Sequence, residues 1–374
     1  MLFLPGSLCL STLIVPIIGL FFVHRERLRQ SEEWKSDLSG LVMFTSLRVI
    51  TIIFNVFDGR KKQIKRKQWA ENALKSPPSL FRFITFLFNY NGLYSGPIIT
   101  IQAYEATIKI ETNDEETTKD IKDGFKFWMI SNGFLVFYAI LVQFLPANYV
   151  LSESFIAKPY LIKVVLAITL SFVHTSRYLF AWISGEAGYR TLGTPRVNVN
   201  SFNFDEYRSI ILEKYFTLTH LGDLAIEWNH TIHNILKECV HVRLLVLGFP
   251  KWGAKLVTFI SSAYWHGFFP GYYILVIIEV IMAVLDEIRI ERFMPLLEKF
   301  IGKKYSFYFS VIWIQSINYI LGATWDLYYA KPFYEFTKIM KFGPYIAMMI
   351  VVAIGLIFGP KPQKKNEKRE LKKE

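Results

Sequence analysis

The chain has 374 residues, of which 52% are hydrophobic and 17% are aromatic, and its formal net charge is +12. A soluble enzyme of this length is more polar, so the composition favours an integral membrane protein. Much of the positive charge lies in residues 60–67 and in the tail after Pro360. Because these basic runs adjoin apolar segments, they are more typical of cytoplasmic loops than of a nucleic-acid-binding domain.

The first half of the chain contains three apolar segments. Residues 8–23 are as short as a signal peptide, but no small-residue cleavage site follows them, so we predict a membrane anchor. Residues 40–57 form a second predicted span. Residues 80–103 are interrupted by polar residues and helix breakers, which predicts a kinked or re-entrant element buried in protein. The interrupting residues are Asn89, Asn91, Gly92, Gly96 and Pro97.

The rest of the chain alternates polar stretches with further apolar segments. The acidic residues 111–123 are predicted to form a solvated loop. In the polar stretch 186–244 we predict a loop around Pro195, followed by one helix from about Asp205 to Lys237. Residues 253–285 are too long for a single span, and Pro270 and Gly271 are predicted to break the helix there, with a simple transmembrane kink as the alternative. The other predicted spans are residues 124–146, 160–183, 305–327 and 339–358.

Together these segments predict an all-α fold. The protein is expected to be a polytopic integral membrane protein with roughly seven to nine spanning or re-entrant helices. No internal repeat is detectable, so residues 1–374 are predicted to form a single domain. The basic tail, residues 360–374, is predicted to face the cytosol.

Several kinds of site are disfavoured by spacing alone. Glu227 and Glu238 each precede a histidine by three residues, as in di-iron helices, but too few other histidines exist to complete such a centre. The two cysteines, Cys9 and Cys239, form no CxxC pattern, so no metal site and no disulfide framework is predicted. No G-x-S-x-G motif of a serine hydrolase occurs. The sequon Asn229-His230-Thr231 is short enough to occur by chance.

A histidine in the most apolar setting is the strongest candidate for chemistry. His266 lies in SSAYWHGFFPGYY, residues 261–273, and Trp228-Asn229 lies on the helix predicted upstream. A polar group at membrane depth is costly and is by default a functional candidate. Imidazole can act as a general base near neutral pH, and an amide can donate to a carbonyl oxygen. From the residues alone, a structural core histidine bonded to a neighbouring carbonyl is the favoured interpretation.

At these residues the sequence resembles the membrane-bound O-acyltransferase (MBOAT) family. That family carries a histidine in an apolar span and an asparagine upstream, which here correspond to His266 and Asn229. The W-H-G-x-x-P-G-Y string is similar to the lysophospholipid acyltransferase branch, and further segments are most similar to the lysophosphatidylinositol acyltransferase. These segments are NYNGLYSGPIITIQAYEA (89–106), RYLFAWISGEAG (177–188) and residues 204–236. The resemblance runs from about residue 40 to the basic tail.

The resemblance implies transfer of an acyl chain from acyl-CoA to the free hydroxyl of a lysophospholipid, with His266 as the base and Asn229 orienting a substrate group. It further implies an intramembrane tunnel, no cofactor besides the co-substrate acyl-CoA, no metal, and a location in the endoplasmic reticulum membrane. Arg177 or Arg190 could meet an inositol head group, and both could equally be interfacial anchors. Residues expected to contact substrate are Trp228, Trp265, Gly267, Pro270 and Tyr272.

Departures from the family pattern leave alternatives. The region before residue 40 is shorter than is usual for the family, so early helices could be missing, and residues 232–235 are more polar. Within the family, lysophosphatidylcholine or lysophosphatidylserine is the alternative acceptor. Two hypotheses come from other functional classes: a membrane transporter or channel, and an inactive scaffold. The sequence does not specify an oligomeric state.

Overall fold

The computed structural model describes residues 11–30, 38–61, 63–64, 66–93, 95–196 and 204–360. Cys9, the first residues of the 8–23 segment and the basic tail after residue 360 lie outside these ranges. All regular elements within the described ranges are helical, which confirms the predicted all-α fold.

Seventeen α-helices, numbered here α1 to α17, follow one another along the described residues. They are α1 (Ile14–Arg29), α2 (Ser39–Gly59), α3 (Lys67–Asn72), α4 (Leu80–Leu87), α5 (Ile101–Ile108), α6 (Asp114–Leu141), α7 (Glu153–Ile156), α8 (Tyr160–Thr191), α9 (Leu212–Phe216), α10 (Leu221–Glu227), α11 (His230–Leu236), α12 (Val242–Val246), α13 (Lys251–His266), α14 (Pro270–Ile288), α15 (Met294–Gly322), α16 (Ala330–Ile339) and α17 (Gly343–Phe358). Short 3₁₀ turns occur at Ala147–Leu151, Thr194–Arg196, Phe204–Tyr207 and Trp325–Leu327, and π-helical turns at Lys237–His241 and Arg289–Phe293.

Three of the described helices are long and apolar enough to cross a membrane, namely α2, α6 and α8. A fourth candidate is the pair α16 and α17, which passes the same test as a unit but bends by 63° at its break. Helices α1 and α13 have only 16 residues each, so they fall short of the roughly 20 needed to span a bilayer alone. Long spans and short or broken helices therefore lie side by side in this fold.

The segment predicted to be re-entrant is interrupted as expected. Helix α4 ends at Leu87, and helical structure resumes only at Ile101. Arg48, on α2, is only 1% exposed and donates to four backbone carbonyls at the end of α4 and in the loop that follows it. The accepting carbonyls are those of Phe86 (3.3 Å), Leu87 (2.8 Å), Asn89 (3.0 Å) and Asn91 (3.1 Å). Non-helical backbone is thus satisfied inside the protein rather than by lipid.

Two glycines allow this loop to approach α8 closely. A side chain at Gly185 would place its Cβ 2.5 Å from the carbonyl oxygen of Gly96, and one at Gly188 would collide with the amide of Asn91. Both glycines belong to the segment RYLFAWISGEAG. The small residues of that segment therefore serve the contact between α8 and the interrupted loop.

The predicted acidic loop at residues 111–123 is wrong in part, because α6 begins inside it at Asp114. Asn113 and Glu116 form a capping box, in which each side chain accepts from the backbone N–H of the other residue. The acidic residues Asp114, Glu115 and Glu116 occupy the first turn, where the helix dipole favours negative charge.

The single helix predicted from Asp205 to Lys237 is also wrong. This stretch forms a 3₁₀ turn and the three short helices α9, α10 and α11. Long-range contacts cause the breaks: the carboxylate of Asp286 accepts from the N–H of Leu221 at 2.8 Å, which caps α10. The carbonyl of Ser209 accepts from the N–H of His230 at 2.8 Å, at the start of α11. These partners are remote in sequence and cannot be read from local propensity.

The largest hydrophobic core lies among α8, α10, α14, α15 and α17. Its buried residues include Leu179, Trp182, Ile183, Leu221, Leu275, Met282, Ile314, Ile317, Met348 and Val352. A smaller cluster joins α1, α2, α11 and α13 through Leu20, Phe44, Leu47, Ile232 and Trp265. The end of α13 and the start of α14 are thus packed on two sides, and this junction holds His266.

Candidate active site

His266 is the last residue of α13. Gly267 follows with φ 133° and ψ −170°, a conformation that favours glycine, and it ends the helix. Pro270 then occupies the first turn of α14, where its missing N–H leaves no hydrogen bond unmade. The break predicted within residues 253–285 is therefore confirmed, and it places the imidazole at a helix end.

The imidazole of His266 is surrounded by aromatic rings. Its centroid lies 4.8 Å from that of Trp265, 4.9 Å from that of Trp325 and 5.8 Å from that of Tyr272. The contact with Trp325 is perpendicular, at 87°. Among the described residues, none forms a hydrogen bond with the ring itself. Packing rather than a hydrogen-bonded partner therefore holds its orientation.

Helix α1 fixes the backbone beside this ring. His24 is 1% exposed, and its Nε2 donates to the carbonyl of Trp265 at 3.0 Å. Arg27 donates from Nη1 to the carbonyl of His266 at 3.4 Å. The indole N–H of Trp265 donates to the carbonyl of Met43 at 2.9 Å, so this indole is occupied in the core. Sequence reasoning missed the contribution of His24 and Arg27, because they lie some 240 residues upstream.

Asn229 lies between α10 and α11, not within one helix as predicted. Its backbone is left-handed, with φ 51° and ψ 54°. Asparagine is among the few side chains that tolerate this conformation. Its Oδ1 is buried and makes no hydrogen bond in the described structure. Two residues on, the hydroxyl of Thr231 accepts from the N–H of Ile98 at 3.3 Å, which ties α11 to the interrupted loop.

One aromatic layer connects the two predicted catalytic positions. Trp228, next to Asn229, packs against Trp182 at 4.8 Å and Tyr178 at 5.9 Å between centroids. The hydroxyl of Tyr178 accepts from the indole N–H of Trp325 at 3.0 Å, and Trp325 contacts His266. The structure thus brings Trp228 and His266 into one continuous layer through Tyr178 and Trp325.

The remaining predicted substrate residues lie at the start of α14. Tyr272 is 4% exposed and packs against Trp325 at 5.0 Å between centroids. Pro270 is exposed, while Gly267 is buried beside His24 and the ring of Tyr272. Tyr272 and Gly267 therefore border the imidazole directly, and Pro270 serves the backbone turn.

Both arginines considered for a head group have internal partners. Arg177 pairs with Asp326. Arg190 pairs with Asp123 at 2.7 Å and with Glu186 at 2.7 Å. An opposite charge, Asp326, in a neighbouring apolar segment was the signal that could have located the first of these pairs.

One member of each glutamate–histidine pair weighed for metal binding has another partner. Glu238 accepts from Arg66 at 2.6 Å and from the indole of Trp69 at 2.9 Å. His230 Nε2 donates to the carbonyl of Asp205 at 3.0 Å. These side chains therefore contribute to packing of the polar segment.

A cavity of about 100 Å³ lies beside α11. Its lining includes Thr231, Asn234, Glu206, Glu238 and Arg243. Burial and the nearby Glu71 raise the pKa of Glu206 to about 7. Thr231 is two residues from Asn229, so the cavity lies close to the asparagine along the chain. The intramembrane tunnel stays a prediction.

Comparison with known protein families gives one match that includes His266 and Asn229. The sequence profile of the membrane-bound O-acyltransferase family (MBOAT) matches residues 7–325, which is well over half of the chain. This match and the apolar helices α2, α6 and α8 agree on a multi-pass membrane protein.

The chain is also similar to individual curated proteins whose names refer to acyltransferases. The chain is similar to the "Lysophospholipid acyltransferase" of Saccharomyces cerevisiae, with 21% identity over 75% of this chain and 50% of that protein. It is similar to "Membrane-bound glycerophospholipid O-acyltransferase 2" of Gallus gallus, with 24% identity over 67% of this chain and 52% of that protein. "Lysophospholipid acyltransferase 6" of Drosophila melanogaster is 22% identical over 71% of this chain and 39% of that protein. The chain spans about half the length of the curated relatives it matches.

Proposed function

The chain belongs to the membrane-bound O-acyltransferase family, and on that premise we propose that it transfers an acyl chain from acyl-CoA to the free hydroxyl of a lysophospholipid. The observation that carries the proposal is the aromatic layer joining Trp228, beside Asn229, to His266. The names of the relatives, which refer to lysophospholipid or glycerophospholipid acyltransferases, support the same reaction.

His266 acts as the general base in the proposed reaction. A lysolipid hydroxyl is a poor nucleophile and needs a base within hydrogen-bond reach. The imidazole takes the hydroxyl proton while the oxygen attacks the thioester carbonyl and forms the new ester bond. The carbon–sulfur bond then breaks, and the departing CoA thiolate takes the proton from the imidazolium. The absence of a described hydrogen-bond partner leaves both ring nitrogens for this exchange.

Asn229 orients the reacting groups. Its Oδ1 is buried and makes no hydrogen bond in the described structure, and its amide N–H can donate to the oxygen of the substrate hydroxyl, whose own hydrogen goes to His266. Its amide N–H can donate to the thioester oxygen as negative charge develops there. The left-handed backbone at Asn229 fixes the position of its Cβ, so only the rotation of the short side chain remains to place the amide.

The aromatic layer limits access of water. Water competes with the lysolipid hydroxyl for the acyl group, so a transferase benefits from a dry site. Trp265 and Tyr272 are each 4% exposed and, with Trp325, pack around His266. The layer therefore favours transfer to an alcohol that arrives with an apolar chain.

Lysophosphatidylinositol is the acceptor that we propose, with lysophosphatidylcholine or lysophosphatidylserine as the alternative. The support is the similarity of residues 89–106, 177–188 and 204–236 to that branch. We further propose the endoplasmic reticulum membrane as the location and a cytosolic position for the basic tail, because basic tails beside apolar spans remain on the cytosolic side.

An assay in membranes that lack such activity tests the proposal. Labelled acyl-CoA is supplied with a panel of lysolipids that differ in head group, and labelled phospholipid is measured. His266→Ala is expected to lower transfer by at least about 100-fold, because it removes general-base assistance. His220→Ala, at an exposed histidine, is the matched control and should retain activity. Equal transfer by wild type and His266→Ala would remove His266 from the reaction, and transfer to no lysolipid would reject the proposed function.

A further inference from the structure

A short turn separates His266 from helix α8. The 3₁₀ turn Trp325–Leu327 places the indole of Trp325 perpendicular to the imidazole, with centroids 4.9 Å apart. The same indole packs against Tyr272 at 5.0 Å. Whatever fixes this turn therefore also fixes two rings that border the candidate base.

The turn is held by buried charges on its α8 side. Asp326, whose side chain is 8% exposed, pairs through Oδ1 with Arg177. Its Oδ2 lies 2.9 Å from Nδ1 of His174, whose side chain is 9% exposed. Nε2 of His174 donates to the carbonyl of Leu145 at 3.0 Å. A carboxylate, a guanidinium and an imidazole in an apolar segment are costly, so they are functional candidates by default.

One hydroxyl couples these charges to the indole. The oxygen of Tyr178 accepts from Arg177 Nη2 at 3.1 Å and from the Nε1–H of Trp325 at 3.0 Å. The guanidinium that pairs with Asp326 thus also helps to place the acceptor of the neighbouring indole. A shift of Arg177 would alter both attachments of the turn together.

The opposite side of the turn is attached to α14. The N–H of Gly271 donates to the carbonyl of Tyr328 at 2.7 Å. Tyr328 has φ 56° and ψ −37°, a positive-φ conformation that is costly for a bulky side chain. The turn is therefore held between α8 and the helix that begins just after His266.

We infer that Arg177, Asp326 and His174 form a positioning network that holds Trp325 against His266 and so fixes the orientation of the imidazole. The ring of His266 makes no hydrogen bond with the described residues, so the packing of its neighbours has to supply the orientation that another side chain would otherwise give. A base displaced by about 1 Å can lose about 100-fold in rate. The inference rests on the proposed function for its kinetic consequence and on geometry alone for the position of the turn.

Kinetics separate positioning from substrate binding. Asp326→Asn is expected to lower kcat by about 10- to 100-fold while KM for both substrates changes by less than about twofold. Arg177→Gln should have the same effect, and Arg177→Lys should recover part of kcat because it keeps the charge. Glu335→Gln is the matched control, since its pair with Lys331 is exposed and should be dispensable. Wild-type kcat in Asp326→Asn would overturn the inference.

Cross-linking measures the geometry without activity. His266→Cys and Trp325→Cys are combined with Cys9→Ser and Cys239→Ser, and the rate at which a flexible bifunctional thiol reagent bridges the two cysteines in membranes is followed. We expect bridging, slowed at least about tenfold by Asp326→Asn, because the turn loses its attachment to α8. An unchanged rate, or no bridging in either background, would overturn the inference. If Asp326→Asn fails to accumulate, Arg177→Gln and Arg177→Lys replace it in both assays. Arg177→Gln is then expected to lower kcat and the cross-linking rate more than Arg177→Lys does.

The two assays distinguish the two proposals. A wild-type chain that transfers to no lysolipid, but whose cross-link depends on Asp326, would reject the proposed function and retain the positioning network. A chain that transfers, but in which both kcat and the cross-link are indifferent to Asp326, would reject the network and retain the function.

Discussion

His266 and Asn229 are held by different kinds of contact. The imidazole is fixed by the rings of Trp265, Tyr272 and Trp325, and no described residue forms a hydrogen bond with it. The amide is fixed by its backbone, through a left-handed residue between two short helices. In the proposed reaction, the base therefore keeps both ring nitrogens without a described hydrogen-bond partner, and the amide that orients the substrate is attached to a backbone of fixed conformation.

Their wider surroundings also differ. Near His266, the charged and titratable side chains include Arg27 and the network of Arg177, Asp326 and His174. Two residues from Asn229, Thr231 lines a cavity that also includes Glu206. In the proposed reaction, packed rings and paired charges hold the base, whereas the backbone holds the amide. Four predictions test this division, in order of expected effect.

The backbone and the amide of Asn229 can be separated by substitution. Asn229→Ala should lower kcat/KM by about 100- to 1,000-fold, because it removes a donor to the developing oxyanion. Asn229→Gly accepts the left-handed backbone without strain but also lacks the amide, so an equal loss is expected. Initial rates with saturating acyl-CoA provide the measurement. Recovery of activity in Asn229→Gly would show that only the backbone matters.

The interrupted loop beside Asn229 depends on Arg48. Arg48→Met removes the donor to four carbonyls and should lower the free energy of unfolding by about 3 kcal/mol. Denaturant titration in detergent micelles measures the change. Arg29→Met, at a side chain that is 72% exposed, should change stability by less than about 0.5 kcal/mol. Similar losses in both variants would contradict the assigned role of Arg48.

The junction beside His266 tolerates no added Cβ at Gly271. An alanine there would place its Cβ 2.8 Å from the backbone of Tyr328, so Gly271→Ala should cost about 1–3 kcal/mol and reduce transfer. Gly133→Ala, on α6, meets nothing within 4 Å and should stabilise by about 0.5–1 kcal/mol. Thermal unfolding of the two variants in detergent should therefore move in opposite directions. A stabilised Gly271→Ala would be incompatible with this packing.

Glu206, which lines the cavity beside α11, should make the free energy of unfolding depend on pH. Its pKa is raised from 4.5 to about 7 by burial and by Glu71, so the folded state loses stability as pH rises from about 4.5 through 7. Because the carboxyl is partly exposed, we expect a loss of about 1 kcal/mol. Glu206→Gln should abolish this component when unfolding is measured at pH 5 and pH 8. An equal pH dependence in both proteins would assign the effect to another group.

Some of these features could be predicted because the sequence marks them locally. Pro270 and Gly271 predicted the break after His266, and the asparagines, Gly96 and Pro97 predicted the interruption between α4 and α5. The early start of α6 also has a local mark, the Asn113 to Glu116 capping box, which the acidic composition obscured.

Other features arise only from tertiary contacts. The only glycine between Asp205 and Lys237 is Gly222, yet α10 passes through it and the break falls at Trp228-Asn229. The pairing of Arg177 with Asp326 joins residues 149 positions apart, and no spacing rule reports such a partner. Local chemistry thus predicted His266 as a candidate, while the structure that surrounds it depends on remote partners.

The central claim is that His266 and Asn229 act on one reaction from opposite sides of one site. A double-mutant cycle tests it most directly, with kcat/KM measured for His266→Ala, Asn229→Ala and the combined variant at equal accumulation in membranes. Residues that act on the same step are strongly non-additive, so the combined variant should be no more than about threefold slower than the slower single variant. If the two losses multiply in full, the residues act independently and the claim of a shared site is wrong.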